Sequence, residues 1–158
     1  MRRRDPIAVV LEAIDRAYNR QSWHGTNLRG SIRGVSFRAA AKRPRPGRHN
    51  IWELVVHAAY WKYTVRRRMT GQKRGSFPLP GSNFFKRPVV MTERAWRDDI
   101  ALLDRMHREL RAAITALPPS KFQRKARGSA VTNAFLIHGI AAHDLYHAGQ
   151  IQLIKKLL

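Results

Sequence analysis

Between Thr92 and Leu117 the buried-type side chains return at alternating steps of four and three: Trp96, Ile100, Leu103, His107, Leu110, Ile114 and Leu117. That spacing keeps one stripe of a helix against its neighbours, which is the seam of a bundle, and a strand with its period of two cannot produce it. Thr92 supplies an N-cap acceptor, and Pro118-Pro119 ends the run. The other apolar segments carry the same helical period. Asp5-Pro6 places a cap and a first-turn proline before Ile7, Val10, Leu11, Ile14 and Tyr18, in a helix expected to end near Asn19. Asn50 and Glu53 read as a capping box opening a helix through Ile51, Leu54, Val55, Ala58, Trp61, Val65 and Met69 to Gly71. A final helix is expected from about Val131 to Leu157, and a shorter segment, weakened by Gly30 and Gly34, from Thr26 or Asn27. No strand alternation occurs. The expected fold is all-α, an up-and-down four-helix bundle with an additional short or broken N-terminal helix, in a single domain over residues 1–158.

Two connections interrupt the helices. Lys42 to His49, KRPRPGRH, is a basic, proline-rich loop. Gly71 to Met91 contains Pro78, Pro80 and Pro88 together with Phe77, Phe84 and Phe85. A loop of that length either covers a site or is a surface crossover pinned by its phenylalanines.

Charge narrows the partners. The chain carries 31 Lys and Arg against 10 Asp and Glu, a formal net charge of +21, and its hydrophobic content of 44% excludes global disorder. A domain this basic attracts polyanions and small anions. Arginine dominates, in runs such as Arg2-Arg3-Arg4, Arg66-Arg67-Arg68 and the stretch from Lys42 to Arg48. One reading is therefore a non-enzymatic protein that binds nucleic acid or other polyanions through Arg-rich surfaces. Few places such as Lys121-Phe122-Gln123-Arg124 interleave aromatic with basic residues, so the nucleic-acid contact expected is non-specific and lost with salt. No apolar run approaches the roughly 18 residues of a membrane span. Asp5, Glu12 and Asp15 break any signal-like core near the start, so a cytoplasmic protein without membrane contact is expected. The absence of cysteine removes disulfides, thiolate ligands and a cysteine nucleophile together.

The seven histidines then carry the chemistry. His143 and His147 lie roughly 40° apart around a helix, on the face shared by Leu136, Ile140, Gln150 and Ile154. Imidazoles spaced i, i+4 on a buried face converge on one ion, or else serve as hydrogen-bonded core histidines. His138 points the other way. A stable site needs a third ligand from another helix. Residue placement offers His57, at the margin of its apolar stripe between Leu54 and Trp61, and His107, on the seam of the next helix. His24 and His49 stand at segment ends, where capping, substrate contact and plain exposure are all open.

The segments Trp23-His24-Gly25, Pro46 to Trp61 (PGRHNIWELVVHAAYW) and His143 to Ile151 (HDLYHAGQI) resemble the DinB-like superfamily, and the last is the most specific of the three. That superfamily takes its name from DNA-damage-inducible proteins and includes bacillithiol S-transferases and mycothiol-dependent maleylpyruvate isomerases. The resemblance implies a four-helix bundle holding a divalent metal, zinc or nickel, through one histidine of the second bundle helix and two of the last. By position these are His57, His143 and His147. It also implies a homodimer. Three neutral imidazoles leave a coordination position open, and an ion so held lowers the pKa of the water or thiol that takes it. A metal-dependent enzyme of thiol S-transferase or hydrolase type follows, with any thiol supplied by an external low-molecular-weight cofactor. A small anionic substrate suits the Arg-rich surroundings. Asp144, Tyr146 and Gln150 are close enough in sequence to accept the second ring N–H of a ligating histidine.

Overall fold

A computed structural model describes residues 5–126 and 128–158, so Arg2-Arg3-Arg4 and Arg127 lie outside the described residues. Six α-helices follow one another: α1 (Pro6–Tyr18), α2 (Leu28–Ser31), α3 (Phe37–Ala41), α4 (Ile51–Thr70), α5 (Glu93–Thr115) and α6 (Asn133–Leu157), with a 3₁₀ turn at Pro119–Lys121. Among the described residues there is no strand, only an isolated bridge between Lys125 and Thr132. The four long helices form the bundle. α4 packs against α5 and α6, α1 closes the opposite corner against the same two, and α2 lies beside α6.

The helix starts follow from local chemistry. Side-chain oxygens of Asp5, Asn50, Thr92 and Thr132 accept from the backbone N–H groups of Ile7, Glu53, Ala95 and Phe135, each relieving an orphan donor of a first turn. α4 ends at Gly71, whose φ of 71° suits a residue without Cβ. Three local expectations are revised. The segment after Thr26 splits into α2 and α3, because Gly34 takes φ 72° and Ser36 caps a new helix. Only half of the capping box at Asn50 forms, since the Glu53 carboxylate is drawn away to Arg43 and His49. α6 begins at Asn133 rather than Val131, whose carbonyl instead accepts from the Ala126 N–H.

The α5 seam is buried as its spacing requires, with Ile100 partly covered at its edge. Ile14, Leu103, Leu110, Ile114 and Ile137 are wholly enclosed, each contributing roughly 1.5–3 kcal/mol relative to exposure. Trp52 and Trp96 also pay no polar penalty, because their indole N–H groups donate to Asp99 Oδ2 at 2.7 Å and to the Val35 carbonyl at 2.9 Å.

One polar cluster interrupts this core, and each bundle helix supplies a member. Lys62 of α4 and Asp144 of α6 form a fully buried ion pair. The Lys62 ammonium lies 4.8 Å from the ring centre of Tyr18 on α1, and that ring stacks on His107 of α5 at 3.6 Å. The Tyr18 hydroxyl donates to Asp104. Burial pushes Lys62 down and Asp144 up, each opposed by the charge of the other. Burial, with help from Lys62 and Arg111, lowers His107 to about 3. Among the described residues, no helix is long and apolar enough to cross a membrane.

Candidate metal centre

α4 and α6 pack side by side, which brings His57 against the i, i+4 pair His143 and His147. His143 Nε2 lies 3.1 Å from His57 Nε2 and 3.0 Å from His147 Nε2. His57 and His147 are buried and His143 is half-buried. Burial lowers His57 to about 4, with His147 adding to the effect and the Asn83 carbonyl opposing it. His143 falls to about 3 through burial and its two histidine neighbours, and burial lowers His147 as well. All three rings are therefore neutral near pH 7.

Two of the three tautomers are set from outside the cluster. His57 Nδ1 faces the backbone carbonyl of Asn83 at 2.9 Å, an acceptor only, so Nδ1 carries the proton and Nε2 presents its lone pair inward. His147 Nδ1 donates to Gln150 Oε1 at 2.7 Å, which turns its Nε2 inward too. Among the described residues, His143 Nδ1 has no hydrogen-bond partner. Inward lone pairs this close repel unless a proton or a cation lies among them. Nitrogens ~2.0–2.1 Å from a shared tetrahedral ion lie roughly 3.3–3.4 Å apart, so the separations of 3.0–3.1 Å fall within a few tenths of an ångström of that spacing. The donor set fits a divalent metal.

The long loop after α4 combines both roles its sequence left open. Phe77 and Phe85 pin it, packing on Tyr60 and on each other. Asn83 and Phe84 face the histidines. Asn83 adopts φ 64°, a left-handed conformation that Asn tolerates better than most residues. Its carbonyl takes the His57 proton, and its Oδ1 accepts from Trp61 Nε1 at 3.0 Å. Phe84 lies flat between two imidazoles, 3.9 Å from His57 and 3.7 Å from His49. His49 Nδ1 is 2.9 Å from Glu53 Oε2, and Arg43 holds both oxygens of the same carboxylate. Burial alone would raise Glu53, but the bonds from Arg43 and His49 keep it below its ordinary range.

The expected residues thus part company. Of the three placed near the ring N–H groups, Gln150 reaches one. Asp144 does not, because it turns into the core and pairs with Lys62. Tyr146 does not either: it is exposed, with its ring edge-on to His147 at 5.1 Å and no hydrogen bond from its hydroxyl to the cluster. His107 stays out of the cluster, stacked on Tyr18. His24 and His138 are exposed. Phe84 belongs to the loop phenylalanines that the sequence marks, but neither its stacking on His57 nor the role of Asn83 is legible there. The only signal for them was the improbable length of their loop, since a backbone carbonyl has no sequence signature.

A cavity of about 960 Å³ opens over the three histidines, lined also by Arg45, Arg48, Trp61, Phe84, Tyr146 and the last turns of α6. Such volumes accommodate a small-molecule ligand. No curated protein and no solved structure matches the chain significantly. A model of the DinB superfamily does match, over residues 20–151, from just after α1 into the last turns of α6. The chain, a helical bundle whose three neutral histidines could together hold a metal, belongs to the DinB superfamily.

Proposed function

We propose that this protein binds a divalent metal, zinc or nickel, through His57, His143 and His147 and works as a metal-dependent enzyme of thiol S-transferase or hydrolase type. One observation carries the reading: three neutral imidazoles aim their Nε2 atoms at one point on the floor of a ligand-sized cavity. A divalent ion held there supplies Lewis acidity toward a substrate oxygen or sulfur. The chain's own residues prepare the site. Asn83 and Gln150 hold the outward protons of two rings, Phe84 stacks on His57, and the loop bearing Asn83 and Phe84 lines the cavity. With no cysteine in the chain, a transferred thiol comes from an external low-molecular-weight compound.

The same proposal includes a cytoplasmic, single-domain protein that assembles as a homodimer. Copies carrying +21 repel one another except through a surface free of cations, and α6 has no Lys or Arg before Lys155. Its exposed residues Phe135, Gly139 and Ala142 lie along one face of that stretch and are the proposed contact. Sedimentation velocity is expected to give about twice the 18.2 kDa chain mass, and a strictly monomeric species removes this part.

Elemental analysis of the purified protein beside His57→Ala, His143→Ala and His147→Ala tests the site. About one divalent ion per chain is expected in the parent and a large loss in each variant. Full metal content in all three variants refutes the proposed ligands.

A further inference from the structure

The cavity over the histidines has a chemistry of its own, and this inference rests on the proposal that it is the substrate site. Its walls are uneven. On one side, Leu153, Ile154 and Leu157 of α6 present aliphatic surface, and Leu153 and Leu157 are more than half exposed although flanked by a cavity. A different element, the loop between α3 and α4, contributes Arg45 and Arg48. Among the described residues, no carboxylate side chain lines it.

Both arginines stand on a fixed support. The Arg48 N–H donates to the Arg45 carbonyl at 3.2 Å, closing a turn in which Gly47 takes φ 74°. Arg43 then ties that turn to α4, donating to the Arg48 carbonyl at 2.5 Å while gripping Glu53. Asn50 Nδ2 donates to the Ala41 carbonyl at 3.2 Å and anchors the loop's other end. Guanidinium groups on an anchored turn lose less freedom when they grip an anion, and their donor fork matches carboxylate and phosphate alike.

We propose that the ligand of this cavity is an amphipathic anion: an aliphatic or aromatic body laid along Leu153, Ile154 and Leu157, with one carboxylate or phosphate group held by Arg45 and Arg48. A fully polar substrate leaves the α6 wall unused, and a neutral apolar one leaves two cations facing it.

Calorimetric titration of the full chain, loaded with zinc, in ~0.15 M salt to screen long-range charge, tests this with decanoate, decyl phosphate and decanol. At least a tenfold preference for an anion over decanol is expected, and the tighter of the two anions identifies the head group. Affinity rises by about fourfold per methylene from hexanoate to decanoate. The Arg45→Gln/Arg48→Gln variant is expected to lose most of the anion preference and keep its decanol affinity. Arg105→Gln/Arg108→Gln, which removes the same charge from exposed positions of α5 outside the cavity, leaves the preference intact. Leu153→Ser/Leu157→Ser weakens all three ligands. Equal binding of anion and alcohol, or an equal loss in the two arginine variants, overturns the proposal. Metal content measured on the same samples separates it from the metal reading. A His143→Ala protein that has lost zinc yet still prefers decanoate supports the ligand class alone, whereas a zinc-loaded parent that does not discriminate refutes it alone.

Discussion

Replacing Lys62 with Met leaves the Asp144 carboxylate fully buried and without a partner among the described residues, where its Oδ1 has no hydrogen bond and its Oδ2 is held by Lys62. Neither member of the pair touches solvent, so the uncompensated desolvation cost falls in the range of ~3–5 kcal/mol found when one half of a buried ion pair is removed. That is a large share of the roughly 5–15 kcal/mol that holds a domain folded. Asp144→Leu is expected to cost a similar amount, because it strands the ammonium. The double variant Lys62→Met/Asp144→Leu removes both charges and restores apolar volume, so it is expected within ~1 kcal/mol of the parent or up to ~4 kcal/mol above it. Urea denaturation of all four proteins closes a double-mutant cycle and yields the coupling energy directly. Metal content serves as the second readout. The double variant keeps its three histidines and is expected to keep its ion, while the single variants lose it in step with their folding. A cost below ~1 kcal/mol in either single variant, or a double variant as unstable as the two singles added together, refutes the claim that this pair locks α4 to α6 beneath the histidines.

Other variants probe the site one contact at a time. Gln150→Leu removes the acceptor on His147 Nδ1 and is expected to weaken metal binding about 10–100-fold in a chelator competition, whereas Tyr146→Phe, whose hydroxyl meets no ring nitrogen, changes it less than about threefold. Asn83→Ala places a residue less tolerant of the left-handed region at φ 64° and leaves the partly exposed Trp61 indole to water, at an expected stability cost of about 1 kcal/mol by urea denaturation; Asn83→Gly relieves the backbone part alone. His107 gives stability a pH dependence. Its pKa is about 3 when folded and ~6.5 when unfolded, so between those values the unfolded chain holds a proton that the folded chain lacks, and stability falls as pH drops through that window. From pH 7 to pH 5 this group accounts for about 2 kcal/mol. His107→Phe, which keeps a ring against Tyr18, is expected to lose that part of the slope in denaturation midpoints; an unchanged slope refutes it.

Helix boundaries were legible wherever a cap and a stop lay next to a periodic run. Asp5-Pro6, Asn50, Thr92 and Pro118-Pro119 act through their own side chains on neighbours within a few residues, so no distant contact is needed to see them. Where Gly34 and Ser36 allow more than one local solution, the pattern stopped short, and α2 and α3 emerged as separate helices. The capping box at Asn50 misled in its second half, because a distant cation, Arg43, outbids the backbone N–H for the Glu53 carboxylate. Local pattern cannot register that competition.

The sequence by itself determined the fold class, the four long helices and the face of α6 on which His143 and His147 lie together, because helical period and capping are short-range properties. Tertiary structure decided which further histidine meets them: His57 joins since α4 packs on α6, while His107, on a better-marked seam, is turned to Tyr18. It also decided that Asp144 is a core ion and that Asn83 sets the tautomer of His57 from across a long loop. Hydrogen bonds and ion pairs between groups 26 or 82 residues apart depend on where whole elements come to rest, and side-chain spacing along one helix carries no record of that.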